Sequence, residues 1–113
     1  MESKISNIMD FADRLSVIEN QIDILKRQFQ ENCLFYFDGH QITINPTLIA
    51  ICKNYIDLGR TQNISILDDF ELPVTIENPD KFLLDISDQY QQALNRYQLE
   101  YNKLIQQRGD LDA

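Results

Sequence analysis

Along the first thirty residues, apolar side chains recur at Ile8, Phe11, Leu15, Ile18, Ile22, Leu25 and Phe29, in alternating steps of three and four. That rhythm keeps one narrow stripe on one side of a helix, the a/d seam of three heptads, and predicts a long helix over about residues 4–31. Ile5, Met9 and Ala12 widen the stripe at its start. Val17 and Ile24 lie just off it, one heptad apart, where a third element could cover them. The seam requires a partner helix, and its spacing suits a partner within the chain or in another chain equally well.

The period then changes from helical to alternating. In "CLFYFDGHQITI" (residues 33–44), Asp38-Gly39 between alternating hydrophobics predicts a hairpin with a two-residue type I′ turn. This register pairs Phe37 with His40, Phe35 with Ile42 and Cys33 with Ile44. All six share one face, and Leu34, Tyr36, Gln41 and Thr43 fall on the other. Asn45 then serves as N-cap and Pro46 as first residue of a helix of about fourteen residues, which Gly59 ends. A second hairpin is predicted from Ile64–Leu67 and Pro73–Ile76, bridged by "DDFEL"; Pro73 must open its strand or lie at an edge. Asn78-Pro79 repeats the capping device. It starts a second long helix, to about Arg108, closed by Gly109 and followed by a frayed tail (109–113). Leu83, Ile86, Tyr90, Ala93, Leu94, Tyr97, Tyr101 and Leu104 line one side of it, a wetter seam with three tyrosines at helical spacing.

The chain therefore parses as one domain with a helix (1–31), a hairpin and short helix (33–59), and a hairpin and long helix (64–108). The echo of "ITI-NP" in "VTI-ENP" suggests a duplicated strand-turn-strand-helix module. The expected fold is α+β, with two long helices packed antiparallel in a coiled-coil-like manner. The short helix and the two hairpins cap one end, and the hairpins combine into a small antiparallel sheet, since an isolated hairpin is marginal.

Composition narrows the functions available. At 113 residues, 43% hydrophobic and 25% charged, the chain suits one soluble globular domain. Eighteen acids against ten bases give a net charge of -8, which argues against direct nucleic-acid binding and against docking on anionic membranes. No apolar run has the length of a signal-peptide core or a membrane span, so a cytoplasmic setting is expected, or a particle assembled there. Cys33 and Cys52 read as reduced, buried thiols.

Candidate chemistry is sparse. His40 is the only histidine, too few for a metal site built on imidazoles, and the hairpin register holds Cys33 two pairs away from it. A structural role for His40 is the expectation. Asp68, Asp69, Glu71, Glu77, Asp80, Asp85 and Asp88 crowd a span whose one base is Lys81, without the ligand spacing of an EF-hand. They read as solvated turn and helix-start acids, or as a contact patch for a basic partner. No phosphate loop, nucleophile elbow, zincin helix or CxxC occurs, so neither an enzyme nor a cofactor is expected.

After its leading helix, the stretch "ILDDFELPVTIENPDKFLLDISDQYQQALNRYQLEYNKL" (Ile66 to Leu104) resembles the small structural or assembly proteins of T4-like tailed phages. The Ile/Asn/Gln/Tyr-rich composition is similar to theirs as well. The resemblance covers the C-terminal half, assigns no functional residue, and implies a virion component or assembly factor. The expected function is thus non-catalytic, through protein–protein contacts with itself or a larger complex. The residues expected to carry those contacts are Ile8, Phe11, Leu15, Ile18, Ile22, Leu25, Tyr90, Tyr97 and Tyr101. The alternative is an acidic inhibitor occupying a basic, nucleic-acid-binding groove through Asp68, Asp69 and Glu71.

Overall fold

A computed structural model describes the backbone of residues 2–112 and the side chains of residues 8–109. The widening of the seam at Ile5 and the side chains of residues 110–113 lie outside that range. The elements are α1 (Glu2–Asn32), β1 (Leu34–Phe37), β2 (His40–Thr43), α2 (Pro46–Asp57), β3 (Ile64–Leu67), β4 (Pro73–Ile76) and α3 (Pro79–Asp112). The fold is α+β and mostly helical, with the two long helices packed against each other. Backbone contacts divide the chain into a helical unit, Met1–Phe29 with Asn95–Ala113, and a hairpin unit, Gln30–Leu94.

In the helical unit the ring of Phe29 lies 5.2 Å from that of Tyr97, which sets the register of the two antiparallel helices. Ile18 and Leu104 are buried there, while Leu15, Ile22 and Leu25 are half-buried. Two helices cover each other along one strip only, so the seam is closed on its inner side and open on its flanks.

In the hairpin unit the first turn has positive φ at both Asp38 (48°) and Gly39 (78°), as a type I′ turn demands. The register is the expected one: Phe37 opposite His40 and Phe35 opposite Ile42, with the Ile44 amide donating to the Cys33 carbonyl at 2.8 Å. Cys33, Ile42 and Ile44 are buried, and Tyr36 on the other face is exposed. Asn45 caps α2 by accepting from the Leu48 amide at 2.8 Å. At the far end Gly59 (φ 81°) donates to Ile56 and Arg60 donates to Tyr55, the paired bonds of a Schellman ending.

The second hairpin pairs Ile64 with Ile76 and Ile66 with Val74, all four buried. Asn78 accepts from the Lys81 amide to start α3, and Pro79 is buried at its first position. One turn on, Phe82 packs edge-on against Phe35 and Phe37, with centroids at 5.6 and 5.8 Å. Burying such a ring contributes about 1.5–3 kcal/mol.

Two expectations need correction. The hairpins do not merge: each is a separate two-stranded sheet, and hydrogen bonds from the second turn join them. Nor does Gly109 stop α3, which continues to Asp112. Glycine ends a helix only where the chain takes up a left-handed residue, and at Gly109 the helical conformation persists.

Candidate functional site

The densest set of polar contacts lies where the tip of the second hairpin meets β2. The tip, Asp68 to Leu72, is closed by the Asp68 amide donating to the Leu72 carbonyl at 2.8 Å and the Glu71 amide donating to the Asp68 carbonyl at 3.1 Å. Asp68 is the one buried charged residue among the described side chains. Its Oδ1 accepts from the amides of Phe70 (2.8 Å) and Leu72 (2.9 Å), and its Oδ2 lies 2.7 Å from His40 Nδ1. Asp69 turns the other way and grips β2. Its Oδ1 accepts from the Thr43 amide at 2.8 Å, and its Oδ2 accepts from Gln41 Nε2 at 2.9 Å and Thr43 Oγ1 at 2.7 Å. A backbone bond from the Asp69 amide to the Gln41 carbonyl, 2.9 Å, completes the joint.

These contacts set the charge states. The hydrogen bond with His40, opposed by burial and helped by the Leu72 and Phe70 amides, holds the Asp68 carboxyl below the usual carboxylate range. For Asp69 burial works to raise the pKa, yet the bonds from Thr43 and Gln41 outweigh it and lower the carboxyl. All four carboxylate oxygens already accept hydrogen bonds, so the pair acts as a clamp between hairpins. No group of three or more His, Cys, Asp or Glu that could hold a metal ion occurs among the described residues. Burial raises the thiols of Cys33 and Cys52, which keeps them protonated and poor as nucleophiles. His40 occupies its expected place in the register, opposite Phe37, and is held there by Asp68. Its role is a polar anchor for Asp68 rather than apolar packing.

The expected contact residues separate. Ile8 (67% exposed), Phe11 and Tyr101 face solvent; Leu15, Ile22, Leu25, Tyr90 and Tyr97 are half-buried; Ile18 is buried. Val17 and Ile24, placed off the seam by their spacing, are 53% and 43% exposed. Asp68 and Asp69 are drawn together by the clamp, and Glu71 beside them is exposed with a left-handed backbone (φ 63°).

Charge is divided unevenly. The helical unit has eight acids against seven bases, and the hairpin unit has ten acids against three. The exposed acids Glu71, Glu77, Asp80, Asp85 and Asp88 belong to the second. Its cations include Arg60, whose guanidinium lies 5.7 Å from the centre of the Tyr55 ring.

Some positions escaped sequence reasoning. Phe82, rather than Leu83, is the residue of that turn that is fully buried, since the Phe35 and Phe37 rings receive it. Gln89 donates through Nε2 to the carbonyls of Asn32 (3.0 Å) and Leu34 (2.8 Å), satisfying the end of α1 and the start of β1. Its polar side chain within an amphipathic helix gave no signal of that task. No helix among the described residues is long and apolar enough to cross a membrane. Comparison with models of protein families, with curated proteins and with solved structures gave no match.

Proposed function

We propose that this is a non-catalytic structural or assembly protein that works through protein–protein contacts, as a tailed-phage virion component or assembly factor. The observation that carries this reading is the apolar surface left open along the helical unit: Ile8, Val17, Ile24, Leu99, Tyr101 and Ile105 are all well exposed. Three lie on α1 and three on α3, and exposed apolar surface on paired helices is a recurrent mark of contact sites. The resemblance of Ile66–Leu104 to phage assembly proteins points the same way. Isolating the chain from its native source, with crosslinking and mass spectrometry of what accompanies it, tests the reading. Crosslinks from α1 or α3 to other polypeptide chains are expected. A chain that migrates alone at monomer mass would count decisively against it.

A second reading has its own observation, the excess of seven acids in the hairpin unit. An inhibitor of a protein with a basic groove would use Glu71, Glu77, Asp80, Asp85 and Asp88, because Asp68 and Asp69 are committed to the clamp. Converting those five to amides should then abolish binding to basic partners. Undiminished binding would remove the inhibitor reading.

A further inference from the structure

The tip of the second hairpin is fixed more tightly than a turn between two strands requires. Each of its five backbone amides donates to a partner within the hairpin unit. Asp68 donates to the Leu72 carbonyl, Asp69 to the Gln41 carbonyl and Glu71 to the Asp68 carbonyl, while Phe70 and Leu72 donate to Asp68 Oδ1. The loop is thus bonded to itself and to β2. It also holds Glu71 in the left-handed region, φ 63°, where a side chain strains the backbone.

What this rigid loop presents to solvent is apolar. Phe70 is 68% exposed, and Leu67 and Leu72 are each more than half exposed. Pro73, cross-strand from Leu67 on the outer face of the hairpin, is exposed as well. Tyr36, also exposed, stands cross-strand from Gln41, whose side chain donates to Asp69 Oδ2, so it borders the tip. Apolar side chains scattered singly over a surface need no explanation, but three large ones within Leu67–Leu72 do. A loop already ordered loses little conformational freedom on docking, which favours binding through those side chains.

Charge says what kind of surface fits. Asp68 and Asp69 are committed to the clamp, and His40 is bonded to Asp68. Glu71 in the tip and Asp38 in the turn before His40 remain exposed. The bases of the unit are placed otherwise. Lys53 pairs with Asp57 on α2 at 3.6 Å, and Arg60 lies over Tyr55. Lys81 follows Ile76, the end of β4 remote from the tip.

We propose that the tip of the second hairpin, with Phe70 as its central side chain, docks into an apolar pocket bordered by lysine or arginine on a different protein. An aromatic anchor in a desolvated pocket, with complementary charge at the rim, is how protein–protein hot spots are built. A second copy of this chain is a poor occupant. Its hairpin unit has the same excess, ten acids against three bases, and its helical unit, eight against seven, offers no net positive charge. The proposal goes beyond both readings above, since the assembly reading rests on the helical unit and the inhibitor reading on charge alone.

The full chain with p-benzoylphenylalanine in place of Phe70, irradiated in its native source, tests this, the joined peptides being sequenced by mass spectrometry. One protein other than this chain should be joined, at apolar residues bordered by lysine or arginine. The same photoreactive residue in place of Leu58, exposed at the end of α2, should not reach that site. Against that protein, once purified, Phe70→Ala with Leu72→Ala should raise the dissociation constant about tenfold or more. Glu71→Lys should weaken binding too and should flatten its dependence on salt, which decides the matter if the double variant fails to fold. Leu58→Ala should bind as the unaltered chain does. No photoproduct with another protein overturns the proposal, as does a photoproduct with a second copy or a site bordered by acids. Undiminished binding by either tip variant overturns it as well. So does cosedimentation with phosphatidylcholine vesicles that Phe70→Ala abolishes, since the tip would then serve a membrane. The assembly reading is decided by crosslinks from α1 and α3 to other chains, so either can fail while the other holds.

Discussion

Asp69 lies in a turn that reads as loop, yet its carboxylate accepts three hydrogen bonds from β2. Asp68, its neighbour, ties the turn to itself and to His40. Both carboxyls are held below their ordinary pKa when folded, so the unfolded chain takes up protons first as the pH falls. The stability they contribute is complete above the ordinary carboxylate range and is lost as pH drops through it toward the folded values. Denaturant midpoints measured from about pH 5 to about pH 2 should therefore decline, and Asp68→Asn with Asp69→Asn should flatten that decline. Asp69→Ala should cost about 1 kcal/mol at neutral pH by the same measurement, a small figure because the side chain is partly solvated. An unchanged midpoint would mean that the hairpins hold together without the clamp. None of this was legible beforehand, because a pair of turn aspartates looks the same whether its partners are water or a strand twenty-six residues away.

At the scale of elements the sequence was far more transparent. Asp38-Gly39, Asn45-Pro46, Gly59 and Asn78-Pro79 each restrict the local backbone strongly, and the strand limits and the hairpin register follow from them. Gly109 misled, since α3 extends past it and a glycine is tolerated in a helix at about 1 kcal/mol relative to alanine. The association of the hairpins was also beyond local rules. Side chains of the tip, together with one backbone bond, join them, leaving two small sheets where one was expected. A hairpin of this size needs packing against another element, and for the first hairpin α3 supplies it. Phe82 is the clearest instance, standing edge-on to two rings of β1. Phe82→Ala should destabilise the hairpin unit by about 3–5 kcal/mol, measured by chemical denaturation. Leu84→Ala, two positions on and exposed, should change it by less than about 0.5 kcal/mol. Equal effects would show that the aromatic cluster is not the centre of this core.

For the whole molecule, the division into two units sets the expectation. The buried residues Ile42, Ile44, Cys52, Ile76 and Ile86 all belong to Gln30–Leu94. A polypeptide of residues 30–94 alone should fold, with dispersed amide resonances in a proton–nitrogen correlation spectrum. With its seven-acid excess it should also remain monomeric. Collapse of that dispersion would show that the hairpin unit depends on the helices continuing beyond it. The helical unit differs in charge: it carries eight acids against seven bases, where the hairpin unit carries ten against three.

Both cysteines of the chain also fall inside the hairpin unit, 2% and 0% exposed, and the helical unit has none. They form a natural clock. An alkylating reagent reaches either sulfur only when the surrounding strand and helix part, so its rate of uptake times the opening of one unit and is blind to the other. Cys33 reports on the first hairpin and Cys52 on α2. Two labelling rates that coincide would mean that these elements open as one body, and two that differ would give the order in which they come apart.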